Sequence, residues 1–372
     1  MTSIIYVGMD VHTTNYTLCC YSMEDDRFFA EVQVEPDAKN ILKYLARIEK
    51  QQSRDCRIVC GYEAGCLGYS LYHQLHAHGI DCVILAPTTM MTKPGKRIKT
   101  DRRDARLISK CLAFHTYSPV YIPTEVDDAV KEYIRMRDDA NSALARVKQQ
   151  IIAFCIRHGK IHDGKSYWTN KHLEWLSSLD LGNKILSEVL QEYLIRYYQL
   201  REQVDMYDMR INELAQAEPY RQKVEKLGCF RGIAAHTALS FCVEVGDFRR
   251  FATAQQFASY LGLVPGECSS GDKQQYTGIT KAGNSHLRKL LVETAQVFGR
   301  SATKSGKSVA LKERQAKCDS LTVAYADKAN ARLKKKCFKI AMRSKVNIAK
   351  TAVAREMACF IWGMMTDNIS CA

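Results

Sequence analysis

The chain has 372 residues, a hydrophobic fraction of 46% and a formal net charge of +14, enough for two or three domains with ordinary cores and a basic surface. No run approaches the roughly 18 consecutive apolar residues that cross a bilayer, and Asp10 interrupts the N-terminal apolar run, so neither a membrane span nor a signal peptide is expected. The fifteen cysteines include no C-x-x-C pair and many sit inside apolar runs, which predicts reduced thiols packed as small hydrophobes in a soluble, cytoplasmic protein.

In chain order, residues 4–9 form an apolar strand running into Asp10, and residues 16–21 and 28–34 form two more, with Asp25 and Asp26 supplying a turn. Ile41, Leu45 and Ile48 follow at helical spacing. Residues 57–62 make a fourth strand running into Glu63, residues 67–78 a helix, residues 82–85 a fifth strand, and Thr100 opens a helix carrying Leu107, Ile108 and Leu112. Three consecutive strands, then helix, strand, helix, strand, helix, is the order of an RNase H-like (RuvC-like) α/β domain, placed at residues 1–118.

Pro119 and Pro123 mark a boundary. Beyond it Ala140, Leu144, Val147, Ile151 and Phe154 alternate steps of four and three. Leu186, Leu190, Tyr193, Tyr197, Leu200, Val204, Tyr207, Ile211 and Leu214 continue that pattern across four heptads, which predicts an α-helical coiled-coil middle over residues 119–222. A hairpin within one chain and a contact between two chains fit this equally. Residues 223–372 read as a mainly α C-terminal domain. Its last part is basic: residues 291–372 hold 16 Lys and Arg against 6 Asp and Glu, +10 of the total +14, the footprint of a polyanion binder.

Four acids stand at positions that an RNase H-like sheet brings together. Asp10 and Glu63 end the first and fourth strands, which lie side by side. Asp101 and Asp104, three apart at a helix start, share one face. Hard divalent cations take several oxygen ligands, and two of them about 4 Å apart serve phosphodiester chemistry. Lys96, Arg97, Lys99, Arg102, Arg103 and Arg106 crowd the Asp pair, a density that suits a phosphate backbone. The stretch Gly8-Met9-Asp10-Val11-His12-Thr13-Thr14 also resembles the first phosphate loop of actin-like ATPases, but the second copy such proteins carry is missing. Further on, Ser269-Ser270-Gly271 leads through Gly278-Ile279-Thr280-Lys281-Ala282-Gly283-Asn284 into a helix carrying His286 and Arg288. Hydroxyls, cations and a helix N-terminus suit phosphate binding, or a serine nucleophile with Lys281 and Arg288 beside the developing charge; a plain turn fits too. Phe230-Arg231-Gly232-Ile233-Ala234 resembles a helix-hairpin-helix turn, with Ala234 where a second glycine is usual.

With these residues assembled, the sequence resembles the insertion-sequence one-ten transposase family, the bridge-RNA-guided DEDD recombinases related to Piv-type invertases. The resemblance rests on Gly8-Met9-Asp10-Val11-His12, Tyr62-Glu63-Ala64-Gly65, Lys99-Thr100-Asp101-Arg102-Arg103-Asp104-Ala105, Phe230-Arg231-Gly232-Ile233, Tyr260-Leu261-Gly262-Leu263-Val264-Pro265, Ser270-Gly271 and Gly278-Ile279-Thr280-Lys281. It implies metal ligands at Asp10, Glu63, Asp101 and Asp104 for Mg2+, with two ions and Mn2+ as a substitute. It also implies a nucleophilic Ser270 that forms a covalent phosphoserine, meeting the carboxylates across a subunit interface. The partners it implies are donor and target DNA, a structured guide RNA and further copies of the chain. Arg231, Lys281 and Arg288 join the basic residues near Asp101 as expected nucleic-acid contacts. Asp272 departs from the family pattern, where a small residue is commoner after Ser-Gly. Two other functions compete: a junction-resolving DNA endonuclease, which needs only the carboxylates, and a catalytically passive nucleic-acid binder.

Overall fold

Alternating side chains in the first strands build an antiparallel meander, β1 (Ser3–Val11), β2 (Tyr16–Ser22) and β3 (Arg27–Val34). Its second turn is held by Asp25 and Asp26, which accept hydrogen bonds from the Ser22 and Tyr21 hydroxyls. The chain then crosses through α1 (Ala38–Gln51), capped at Asp37, to β4 (Cys56–Glu63), which pairs parallel to β1. It passes through α2 (Ser70–Ala77) to β5 (Asp81–Leu85), parallel to β4, and ends in α3 (Asp101–Ala113). The sheet order is β3-β2-β1-β4-β5. The computed structural model describes residues 3–52, 56–65, 67–90, 100–267, 275–299 and 306–369.

The two faces of this sheet follow from the two-residue period of β1. Ile5, Val7 and Met9 face a core shared with Ile41, Leu45, Ile48, Leu71 and Leu75 from α1 and α2. Each such fully buried side chain contributes about 1.5–3 kcal/mol. Tyr6 and the residues in step with it face α3, through Ile108, Cys111 and Leu112. Two glycines let α3 lie close. A Cβ on Gly8 would sit 2.0 Å from the Ala105 carbonyl oxygen and 2.4 Å from the Ser109 amide nitrogen, and one on Gly61 would sit 2.8 Å from Leu112. Gly8 and Gly61 are register partners, so the helix beds into a notch across two strands. Gly8→Ala is expected to cost about 1–3 kcal/mol, because backbone atoms cannot rotate away from the new methyl. The comparison is Gly278→Ala, whose added Cβ meets nothing within 4 Å. Equal urea midpoints for the two variants would show that α3 is not pressed against the sheet.

The chain divides into two compact units, Met1–Ile122 and Pro123–Ala372. The second begins with α4 (Glu125–Arg157), whose Thr124 cap accepts from the Asp127 amide. α5 (Asn170–Ser177) is short, and α6 (Lys184–Gln216) runs back along α4. Phe154 meets Tyr193 and Tyr133 meets Tyr207, so the pair is antiparallel within one chain. Of the heptad stripe, Leu190, Tyr197, Val204 and Ile211, seven apart, are fully buried, while Leu186, Tyr193 and Leu200 are half-buried. The structure groups this region with the C-terminal helices: Val130, Ile134, Ile211 and Ala215, at the base of the hairpin, belong to the C-terminal core. That core is completed by α7 (Arg221–Gly228), α8 (Ala235–Val245), α9 (Ala254–Tyr260) and α10 (Ser285–Gly299); α11 (Val309–Gln315) lies against α7 through Arg314 and the Gly228 carbonyl, and α12 (Ser320–Ala341) and α13 (Val346–Met365) add the remaining core helices. A two-stranded ribbon, β6 (Pro265–Glu267) with β7 (Tyr276–Ile279), interrupts the helices. Among the described residues no helix is long and apolar enough to cross a membrane.

Candidate metal centre and nucleic-acid interface

Asp10 follows Gly8 by two residues, so its side chain takes the face on which α3 lies. Glu63 follows Gly61 in the same way, and since Met9 pairs with Tyr62 the two acids stand level on adjacent strands. α3 begins over this spot because Thr100 caps it, its hydroxyl accepting from the Arg103 amide, a bond worth about 1 kcal/mol. Asp101 and Asp104 therefore occupy the first turn, where the helix dipole favours negative charge.

Among the described residues the tightest grouping is Asp10, His12 and Asp101, whose ligand atoms all lie within 4.8 Å of one another. The His12 ring nitrogen is 3.2 Å from Asp10 Oδ2. Burial raises the Asp10 carboxyl above its ordinary range; His12 draws it down, and Asp104 and Asp101 push it up again. Negative charges brought this close are what a divalent cation relieves, and the oxygen-rich donor set suits a hard ion. Glu63 is exposed and, like Asp104, stands outside the tightest group. His12 was not foreseen beside these acids. The signal was present in its two-residue step from Asp10, but only the turn after Val11, closed by the His12 amide bonding to the Asn15 carbonyl, folds the imidazole back.

Several of the expected nucleic-acid contacts are already engaged. Arg102 and Arg106 both reach Glu31 on β3, at 3.3 and 2.6 Å, and Arg103 is exposed on the same turn. Lys96, Arg97 and Lys99 lie outside the described residues. In the second unit Arg231 donates to the Gly306 carbonyl. Arg288 Nη1 donates to both the Leu261 and Ala282 carbonyls, clamping two segments that cross at close range. The crossing requires glycine on both sides: a Cβ on Gly262 would lie 2.2 Å from the Ala282 oxygen, and one on Gly283 2.0 Å from the Tyr260 oxygen, and both residues have positive φ. Lys281 is exposed beside this crossing with φ of 56°. Ser269 and Ser270 lie outside the described residues, in the stretch between β6 and β7.

The Arg231-Gly232-Ile233 segment joins α7 to α8, and α8 starts without a side-chain cap, leaving first-turn amides for other acceptors. A cavity of about 280 Å³ opens beside it, lined by Gly232, His236, Thr237, Arg137 and Lys289 among others. Asp138 and His236, which line it, belong to a charged network that sequence reasoning missed. Asp138 of α4 lies 2.9 Å from His236 Nε2 of α8 and 2.8 Å from His286 Nε2 of α10, and His286 Nδ1 faces Glu244 at 3.3 Å. Glu244 also accepts from Arg135 and Asn284. Nothing in the local sequence could have found it, because its members come from three helices.

The comparisons with known proteins show that the chain with this sheet, acid-bearing helix and helical second unit is a DNA transposase. Residues 7–156 match the DEDD transposase model of the IS110 type, and residues 225–314 match the model described as the transposase IS116/IS110/IS902 family. The chain belongs to this IS110 family of transposases. The y4qE protein of Sinorhizobium fredii is 35% identical over 82% of this chain and 75% of its own. The transposase for insertion sequence element IS1533 of Leptospira borgpetersenii is 32% identical over 89% and 95% respectively. The transposase for insertion sequence element IS1111A of Coxiella burnetii is 26% identical over 68% and 71%.

Proposed function

We propose that the protein is the transposase of an insertion sequence and that it cuts, holds and rejoins DNA strands in a site-specific reaction without net hydrolysis. The observation that carries this reading is the convergence of Asp10, His12 and Asp101 within 4.8 Å, on the RNase H-like order of β1, β4 and α3. Asp10, Glu63, Asp101 and Asp104 are the residues that would hold Mg2+, as one ion or a pair. The bound cation supplies positive charge against phosphate oxygens. Asp10 and Asp101 would hold that ion beside the reacting strand, and the exposed Arg103 neutralises the strand's backbone.

Ser270 is the nucleophile in this reading. Its hydroxyl oxygen forms the new P–O bond as a deoxyribose oxygen leaves, and the serine proton passes to that leaving oxygen. The phosphoserine conserves the ester, so a second deoxyribose hydroxyl can rejoin the strand by the reverse exchange. The Arg288 clamp and Lys281 hold the segment C-terminal to it, and the uncapped start of α8 beside Gly232 offers amides to a phosphate. A structured RNA for target choice and assembly of several copies rest on the family resemblance alone.

The test is a denaturing gel of DNA bearing the element's ends after reaction with the full chain and Mg2+. Protein covalently attached to one strand, and rejoined products, are expected. Cut strands released with free hydroxyl and phosphate ends, and no attached protein, would instead make it a hydrolytic endonuclease of the junction-resolving kind.

A further inference from the structure

The most one-sided charge in the chain lies on α12 and α13. Residues 328–355 contain ten Lys and Arg and no Asp or Glu. Both family matches end before this region, at residues 156 and 314.

α12 turns one face inward. Tyr325, Ala326, Ala329, Leu333 and Cys337 are buried in the core. Arg332 and Lys336 sit beside that stripe and both pair with Glu356 of α13, so they serve to join the two helices. The opposite face carries the exposed Lys335, Phe338 and Lys339, neighbours at helical spacing, and the exposed Met342 and Arg343 follow in the turn after α12. Lys345, Val346 and Ile348 extend it around the corner into α13. Phe338 is 62% exposed and Met342 72% exposed. Among the described residues no acid pairs with Lys335, Lys339, Arg343 or Lys345.

We propose that this face grips the sugar–phosphate backbone of duplex DNA outside the reacting site, with Phe338 and Met342 against the sugars. The inference rests on the reading of the chain as an enzyme of DNA. Lys335 and Lys339 stand one helical turn apart, about 6 Å, and Arg343 follows in the turn after α12, three cations placed to meet the phosphates of a stiff duplex. A lipid surface fits less well, because insertion needs a whole apolar helix face and that of α12 is spent on the core. A second copy would have to offer a strongly acidic patch, whereas the chain as a whole carries a formal net charge of +14.

The experiment is equilibrium binding of a random-sequence DNA duplex to the full chain across a salt series, with strand cutting read in parallel. The variants are Lys335→Gln/Lys339→Gln/Arg343→Gln and, separately, Phe338→Ser. All four positions are exposed, so melting temperatures should match that of the unmodified chain. The triple variant should lose about 2.7 from the slope of log K against log salt, and bind roughly 100-fold more weakly near 0.15 M salt. Phe338→Ser should weaken binding about tenfold with the slope unchanged, as loss of an apolar contact to DNA does. Unchanged affinity and slope in the folded triple variant would overturn the proposal. So would preferential binding of single-stranded RNA, or of anionic phosphatidylserine vesicles, through the same residues. Slope loss in a chain that forms no covalent product would sink the proposed function and leave this inference standing.

Discussion

Asp10→Asn should abolish strand transfer and, in metal-free buffer at neutral pH, raise the melting temperature. The first effect follows from geometry. Asp10 is the acid common to the strand and helix sides of the cluster, and an amide cannot supply the negative charge that holds a divalent ion. A loss of about 10²–10³-fold is expected, the scale on which preorganised electrostatic groups act. The second effect follows from linkage. The Asp10 carboxyl titrates above its ordinary 3.8 in the fold, through burial first and then Asp104 and Asp101. A group with a raised carboxyl pKa contributes its stability below the unfolded value and loses it as pH rises through the folded one. At pH 7 the ionised carboxylate therefore costs the fold, and the neutral amide removes that cost. Adding Mg2+ should reverse the order, since an ion that binds only the folded state stabilises it by mass action, and the variant binds it poorly. Melting curves with and without Mg2+ check this. A variant that melts below the unmodified chain in chelator, and responds equally to Mg2+, would remove Asp10 from the ligand set.

His286→Ala should be the most destabilising single change in the second unit, by about 3–5 kcal/mol, the cost of stranding buried charges by removing one partner. The imidazole bridges Asp138 and Glu244, and without it both carboxylates lose a partner in a site where the His286 side chain is only 18% exposed. Burial disfavours its charged form, but the contacts to Asp138 and Glu244 outweigh that and raise His286 from 6.5 to about 9. The pH dependence has a definite sign. A raised histidine contributes fully below pH 6.5 and loses its contribution as pH rises through about 9. The midpoint of denaturant unfolding should fall across that window for the unmodified chain, and His286→Gln should flatten the fall. Arg137, Arg135 and His236 face the same carboxylates, so the variant still unfolds cooperatively. An unfolding midpoint that is level between pH 6.5 and 9 would mean that the bridge is not charged in the fold.

The two predictions differ in how visible their residues were beforehand. Asp10 and Glu63 could be found because a strand ends locally: an apolar alternating run followed by an acid needs no knowledge of the rest of the chain. Asp101 and Asp104 could be found because Thr100 caps a helix whose period is plain in Ala105, Ile108 and Leu112. The order of β1 to β5 and the mainly helical second half were legible for the same reason. The heptad stripe of α6 was legible too, but its partner was not. A 4-3 repeat specifies a face to be covered, and only the paired rings of Phe154 with Tyr193 and Tyr133 with Tyr207 show that α4 of the same chain covers it.

The basic residues around Asp101 show where local reasoning stops. Arg102 and Arg106 look free in sequence, but β3 lies beyond β2 in the sheet and brings Glu31, about 70 residues upstream, into reach of both. The network of Asp138, His236, Glu244 and His286 was hidden for the same reason, since its members are separated by up to 148 residues.

By itself, then, the amino-acid order determined the succession of strands and helices, the acids at their ends, the glycine-bracketed motifs and through them the family. Those properties depend on side-chain period, capping and turn chemistry, all of which act over a few residues. Which acids come within reach of one ion, which cations remain for DNA and which helix covers which was decided only in three dimensions. Those outcomes depend on strand register, on how closely α3 can approach Gly8 and Gly61, and on charges that meet only when distant helices pack.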